Sequence, residues 1–264
     1  LMDAIPISSY TQPNFLPDDW SLWSEGSISV SRSGDGGIHN NTPKETDSQS
    51  IAFGFDKKIN DSDLLGFAIQ YGKSDTDVGT DGTGIDNESL SLSIYRTKPF
   101  SNNSFTQGLI GFGIIEADSV RKNSGNTLTG SRNGNQLFGS INYGKPFGQG
   151  EFNATPIVRL DLGYTELDSY TETGTDALSY SKQTFESALG SVGLEFNNLI
   201  KFSDSSLKPF GVIEYSLDFS NSSDVKMNYV SDTATVYTFT QGVSSTHLAS
   251  SEIGFNYEAK DNIK

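Results

Sequence analysis

Apolar and polar residues alternate with a period of two in ten stretches of the chain, at 20–30, 50–57, 64–72, 88–97, 104–115, 136–144, 152–165, 185–196, 207–219 and 249–259. This spacing places successive side chains on opposite faces of an extended backbone and predicts strands. In the seventh stretch Val158, Leu160, Leu162 and Tyr164 share one face, and Arg159, Asp161, Gly163 and Thr165 share the other. In the fourth, Leu90, Leu92 and Ile94 oppose Ser89, Ser91 and Ser93. In the last, Ile253, Phe255 and Tyr257 oppose Glu252, Gly254 and Asn256. No stretch of similar length carries a helical stripe.

The connections between these strands alternate between long and short. Long polar stretches such as SRSGDGGIHNNTPKETDSQ and EADSVRKNSGNTLTGSRNGN follow the odd strands, and shorter turns such as KKINDSD and KPFGQG follow the even ones. An up-and-down meander whose two ends face different surroundings gives that order. It is the order of a membrane barrel with short turns on one side and long loops on the other. A Greek-key sandwich scatters its loop lengths. Lys-Pro-Phe at 98–100, 145–147 and 208–210 recurs beside the short connections, where Pro limits strand pairing and Phe suits a membrane interface. The patterned stretches have about the 9–11 residues that a tilted strand needs to cross hydrocarbon. The expectation is an all-β, antiparallel up-and-down transmembrane barrel, apolar face outward and polar face lining a lumen. Closing such a sheet pairs every backbone amide, as hydrocarbon requires.

Composition narrows this reading. The chain has 264 residues, 34% hydrophobic and 19% charged, with 27 Gly and no Cys. Few aliphatic runs and abundant Gly suit many strands joined by polar loops. The net charge of −15 makes nucleic acid an unlikely partner. Without Cys there is neither a disulfide scaffold nor a thiolate metal site. No run approaches the 18 or so apolar residues of a membrane helix. Residues 1–19 are too polar and proline-rich for a secretory leader, so an exported protein would carry this chain as a mature part of something longer.

Candidate chemistry is sparse. The two histidines, His39 and His247, fall in long connections without metal-ligand spacing. Asp35 or Asp118 beside either histidine is the weak case for a barrel-rim hydrolase. Asp75, Asp77, Asp81 and Asp86 lack the order of a complete calcium loop and read as a solvated connection. No metal or cofactor is expected. Arg159 and Asp161, and Glu252 on the last strand, fall on polar faces and are expected to line the lumen. There they could pair and hold a connecting segment, or simply hydrate the pore.

The ordered set DDWSLWSEGSISVSR, IAFGFDKKINDSDLLGFAIQYGKSDTDV, TPIVRLDLGYTELDSYTETG and LKPFGVIEYSLDF resembles the C-terminal translocator domain of autotransporters, the type V secretion family, from about residue 19 to the end. The resemblance singles out Tyr170, Glu172 and Gly174, with either a positional or a functional role; Gly174 suits an unusual backbone conformation. It implies an outer-membrane barrel of about twelve strands that exports and anchors an N-terminal passenger without enzymatic activity. It also implies periplasmic chaperones and the barrel-assembly machinery as partners, and a monomer. About ten strands are present here of that expected twelve, and the closing EAKDNIK reads as a short turn after strand ten. The expectation is therefore a linker remnant at 1–19 and a barrel at 20–264, truncated at its C-terminal end. Self-cleavage is not carried over, since Asn-Asn at 40–41, 102–103 and 197–198 is not in an N-terminal linker. A porin-like or adhesin barrel, a barrel-embedded hydrolase and a soluble sandwich remain the alternatives.

Overall fold

The computed structural model describes residues 3–11, 16–33, 42–60, 63–149, 151–242 and 246–259. The long elements are β1 (Asp3–Thr11), β2 (Trp20–Ser33), β3 (Lys44–Lys58), β4 (Leu64–Val78), β5 (Thr83–Pro99), β6 (Phe105–Asn123) and β7 (Asn126–Gly144). A short β8 (Phe147–Gln149) leads into β9 (Phe152–Leu167), and β10 (Tyr170–Thr171) and β11 (Leu178–Tyr180) precede β12 (Gln183–Asn198). The chain continues through β13 (Ile200–Lys201), β14 (Ser205–Asp218), β15 (Ser223–Tyr229), β16 (Asp232–Gln241) and β17 (His247–Ala259).

The large sheet runs in chain order, β1-β2-β3-β4-β5-β6-β7-β9-β12-β14, with β17 on the far side of β14 and β8 and β13 as short side pairings. Every pairing is antiparallel. All ten stretches picked out by period-two spacing are strands of this sheet. Asp3–Thr11, inside the segment expected to be linker, runs as a further strand along β2, with Asp3 opposite Val30 at the long-loop end and Thr11 opposite Leu22.

The long connections need correction. Much of EADSVRKNSGNTLTGSRNGN is strand: β6 and β7 continue through it to a two-residue turn at Ser124 and Gly125. Both turn residues have positive φ (49° and 85°), the primed geometry whose twist matches the flanking strands. Likewise β4 and β5 extend to a turn at 79–82. Thr, Ser, Asn and Asp keep ladder pairing in water, so strand persists after the apolar alternation stops. The connections after Leu167 and Asp218 also contain strand, forming a second sheet in the order β10-β11-β15-β16.

The two faces of the large sheet differ in exposure. Leu92, Phe112, Leu162, Ile213 and Phe255 stand open on one face, at 60%, 51%, 51%, 59% and 69%. A sandwich would interleave these side chains; here they form a continuous apolar belt, which rules that alternative out. On the other face Ser191, Glu214 and Ser216 are buried although no second layer covers mid-strand positions among the described residues. Small polar groups bury each other when their face is the concave one.

That inner face is built from aromatic rings laid over glycines of the next strand: Trp23 over Gly54, Tyr95 over Gly66, Phe138 over Gly111, Phe105 over Gly144 and Phe210 over Gly254. Trp23 and Tyr95 reach toward one another over those glycines. The indole N–H donates to the Tyr95 hydroxyl, which donates to Asp56. A Cβ at Gly66 would fall inside the Tyr95 ring. Gly66→Val should therefore destabilise the folded barrel by about 1–3 kcal/mol through overpacking, read as a lower urea midpoint for folding into detergent; an unchanged midpoint would mean Tyr95 swings away freely.

At the short-turn end, Lys98 and Lys145 sit over the exposed rings of Phe100 and Phe147, within Lys-Pro-Phe repeats. The third repeat differs. Phe210 turns inward, and Pro209 falls between the stretches of β14 that pair with β13 and with β12, where its missing N–H costs least.

Candidate functional site

Two charged clusters occupy the inner face. The first is on the wall made by β9, β12 and β14. Arg159 bonds Asp161, two residues along the same strand, at 2.8 Å. It also reaches Glu214 on β14, two strands away, at 2.6 Å. Ser191 and Ser216 bond each other beside it at 2.8 Å. Glu195 and Glu252 share the same face, Glu195 opposite Val212 on one side of β14 and Glu252 opposite it on the other. One guanidinium thus stands among four carboxylates. The same face of β2 to β5 carries mostly small polar groups, Ser27, Ser50, Ser91 and Gln70, with Glu25 and Asp56 among them.

The second cluster stands at the long-loop end of β6 and β7. Residues 168–182 fold back over the inner face of β6 and β7 as the hairpin β10–β11, tied to β7 by a bridge between Thr129 and Thr173. Glu172, 5% exposed, is the centre of this hairpin. Its carboxylate takes both forks of Arg121, at 2.9 and 2.6 Å, the Leu178 N–H at 2.9 Å and the Tyr180 hydroxyl at 3.4 Å. Burial pushes the Glu172 carboxyl up, but Arg121 and the Leu178 amide outweigh it and hold it below the usual carboxylate range. The same pair raises Arg121.

Rings and aliphatic groups complete the lock. Tyr170 stacks on Tyr180 at 4.6 Å between centroids, lies over Gly130, and carries the Arg132 guanidinium at 5.5 Å. Leu128, Leu167, Ala177, Leu178 and Val225 are buried around it, Leu128 completely. Gly174 has φ of 121°, which favours glycine, and a Cβ there would press on the Thr127 carbonyl at 3.1 Å. The hairpin therefore shares a dry core with the long-loop ends of β7 and β9, and β15 and β16 continue it.

The expected residues divide accordingly. Arg159 and Asp161 meet in one cluster, Glu252 lies on the same wall without touching them, and Tyr170, Glu172 and Gly174 belong to the hairpin lock. Glu214, Glu195 and Arg121 were not anticipated. Glu214 could have been found as the carboxylate on the polar face of GVIEYSLDF, whereas nothing local ties Arg121 to Glu172. Asp35, His39 and Asn40 lie outside the described residues, and so does the closing tail from Lys260. His247, the first residue of β17, shares a hydrogen bond with the Tyr215 hydroxyl on β14, while Asp118 lies on β6 opposite Asp86. They are on separate parts of the sheet. No group of three or more His, Asp or Glu is placed to hold a metal ion among the described residues.

The family model for the autotransporter beta-domain matches residues 22–264. No curated protein sequence matches the chain. Among solved structures, the chain is similar to the translocator domain of the autotransporter NalP from Neisseria meningitidis, at 13% identity and a TM-score of 0.65, over 92% of this chain and 88% of that one. It is also similar to the beta domain of the Bordetella autotransporter BrkA, at 14% identity and a TM-score of 0.60, over 92% and 99%. At such identities these structures speak for the fold.

Proposed function

We propose that this chain, which belongs to the autotransporter beta-domain family, carries the segment behind its passenger along the wall of Arg159, Asp161, Glu195 and Glu214, with the Glu172 hairpin narrowing the mouth above. Membership makes it a translocator of the bacterial outer membrane that exports an N-terminal passenger, a transport barrel rather than an enzyme. The observation that carries the finer reading is the inner wall itself. It holds fixed, partly paired charges in a polar, otherwise uncovered channel, where a passing chain can exchange water for hydrogen bonds.

On this reading residues 20–264 form the barrel domain. Asp3 lies at the long-loop end, so β1 brings the chain from that end down to the short turns. The barrel works as a monomer, and it reaches the membrane by way of periplasmic chaperones and the barrel-assembly machinery. That partner set rests on the family resemblance.

Arg159 is the only cation in its cluster among the described residues. Arg159→Gln should leave carboxylates alone on that wall, shifting single-channel currents in planar bilayers several-fold toward cations and lowering surface display of a fused reporter. Arg159→Lys should retain most of both. Unchanged selectivity and display in Arg159→Gln would mean that the passing segment does not use this wall.

A further inference from the structure

The outward face carries a cleft of ≈ 340 Å³ where the apolar belt gives way to charged residues at the long-loop end. Its floor is one cross-strand row, Tyr71 on β4, Leu90 on β5 and Ile114 on β6. Its rim is the next row outward, Glu88 on β5, Glu116 on β6 and Asn133 on β7. Glu88 is paired with Lys73 at 3.2 Å. The Glu116 and Asn133 side chains make no hydrogen bond among the described residues. The floor is continuous with Ile69, Leu92 and Phe112, which belong to the lipid-facing belt. Whatever fills the cleft is therefore a neighbour already present there, an outer-leaflet lipid standing with its chains on the belt and its headgroup at the rim.

The rim chemistry selects the headgroup. The two carboxylates accept hydrogen bonds and the Asn133 amide both accepts and donates, so the rim favours a headgroup rich in hydroxyl donors. The acceptors are spread over three strands, about 10 Å, which is wider than a single ammonium group can span. The exposed ring of Tyr71 at the edge offers an apolar face to the C–H side of a sugar. A phosphate set on Glu116 would meet like charge, so a phosphorylated sugar would turn its hydroxyls to Glu116 and its phosphate to the margin, where Lys73 stands beside Glu88.

We propose that this cleft binds the sugar headgroup of an outer-leaflet glycolipid, hydroxyls on Glu88, Glu116 and Asn133, one ring against Tyr71, and acyl chains over Leu90 and Ile114. The assignment rests on the barrel's lipid-facing orientation and is tested separately from it. The folded barrel is placed in vesicles of phosphatidylethanolamine and phosphatidylglycerol with increasing lipid A, and retained lipid is counted by native mass spectrometry. Wild type should keep lipid A saturably, and Glu116→Leu and Asn133→Ala should each weaken retention by about tenfold. Equal retention by the variants would overturn the proposal, and so would equal competition by phosphatidylethanolamine, which would assign the rim to an ammonium headgroup. Folding is followed alongside by the heat-sensitive gel mobility of the barrel. Failure of wild type to insert would count against the lipid-facing orientation, whereas insertion without saturable lipid A would count only against the cleft. If Glu116→Leu does not fold, Asn133→Ala carries the test.

Discussion

Leu92→Arg should cost the folded barrel about 2–4 kcal/mol, the range for a cation on the lipid face at the bilayer midplane. Leu92 lies midway along the apolar face of β5, between Ile69 on β4 and Phe112 on β6, and is 60% exposed with no protein neighbour to cover it. An arginine there meets hydrocarbon with no partner for its charge. Ser91→Arg, one residue along the same strand, points to the inner face between Gln70 and Gly113 and should cost far less. The comparison is made by urea-dependent folding into lipid vesicles. Equal costs at the two positions would mean that the sheet does not separate lipid from water across β5.

The second large effect is at the mouth. Glu172→Ala strands Arg121 among Leu128, Leu178 and Tyr180. Loss of one partner of a buried pair costs ~3–5 kcal/mol. The lower end applies here because the Arg121 side chain is 26% exposed while that of Glu172 is 3%. The loss should be local, since the hairpin belongs to the second sheet and packs at the long-loop end, outside the mid-strand ladder of the large one. Amide exchange across 170–180 should accelerate about a hundredfold, with the barrel's gel mobility unchanged. Unaltered exchange would mean that stacking of Tyr170 on Tyr180 holds the hairpin without the ion pair.

Acid should act on the same lock. The carboxyl of Glu172 is held below its unfolded value, so its contribution is fully present above that value and is lost as pH falls through the lower, folded one. Exchange across the hairpin should therefore speed up only below the ordinary carboxylate range, and Glu172→Gln should remove that acid dependence. Opening at mildly acidic pH would contradict the pairing.

The belt was legible because a side-chain period of two survives wherever one face meets lipid: Leu90, Leu92 and Ile94 against Ser89, Ser91 and Ser93 needed no other information. Strand ends were not legible, because outside the belt nothing requires alternation. Glu116 to Val120 is paired on both sides like the residues before it, and Arg121 to Asn123 stays paired with β7, yet the stretch reads as polar loop. The mouth was partly legible. The resemblance marked Tyr170, Glu172 and Gly174, but the partner that gives Glu172 its role lies 51 residues earlier, a distance no local pattern spans. The aromatic-over-glycine contacts of the inner face were hidden for a related reason. Tyr95 and Gly66 are unremarkable in isolation and meet only once β4 and β5 are set in register.

The extension of β6 beyond the belt sets how far the outer surface stands from the bilayer. The strand has 19 residues, and from Glu116 onward about eight of them rise past the lipid boundary, roughly 25 Å of chain before tilt. Paired to its neighbours along this length, the rim is a stiff collar rather than a fringe of loops. An exported domain tethered there would work at a fixed stand-off from the membrane, and a large molecule probing the cell would strike the collar before it touched lipid.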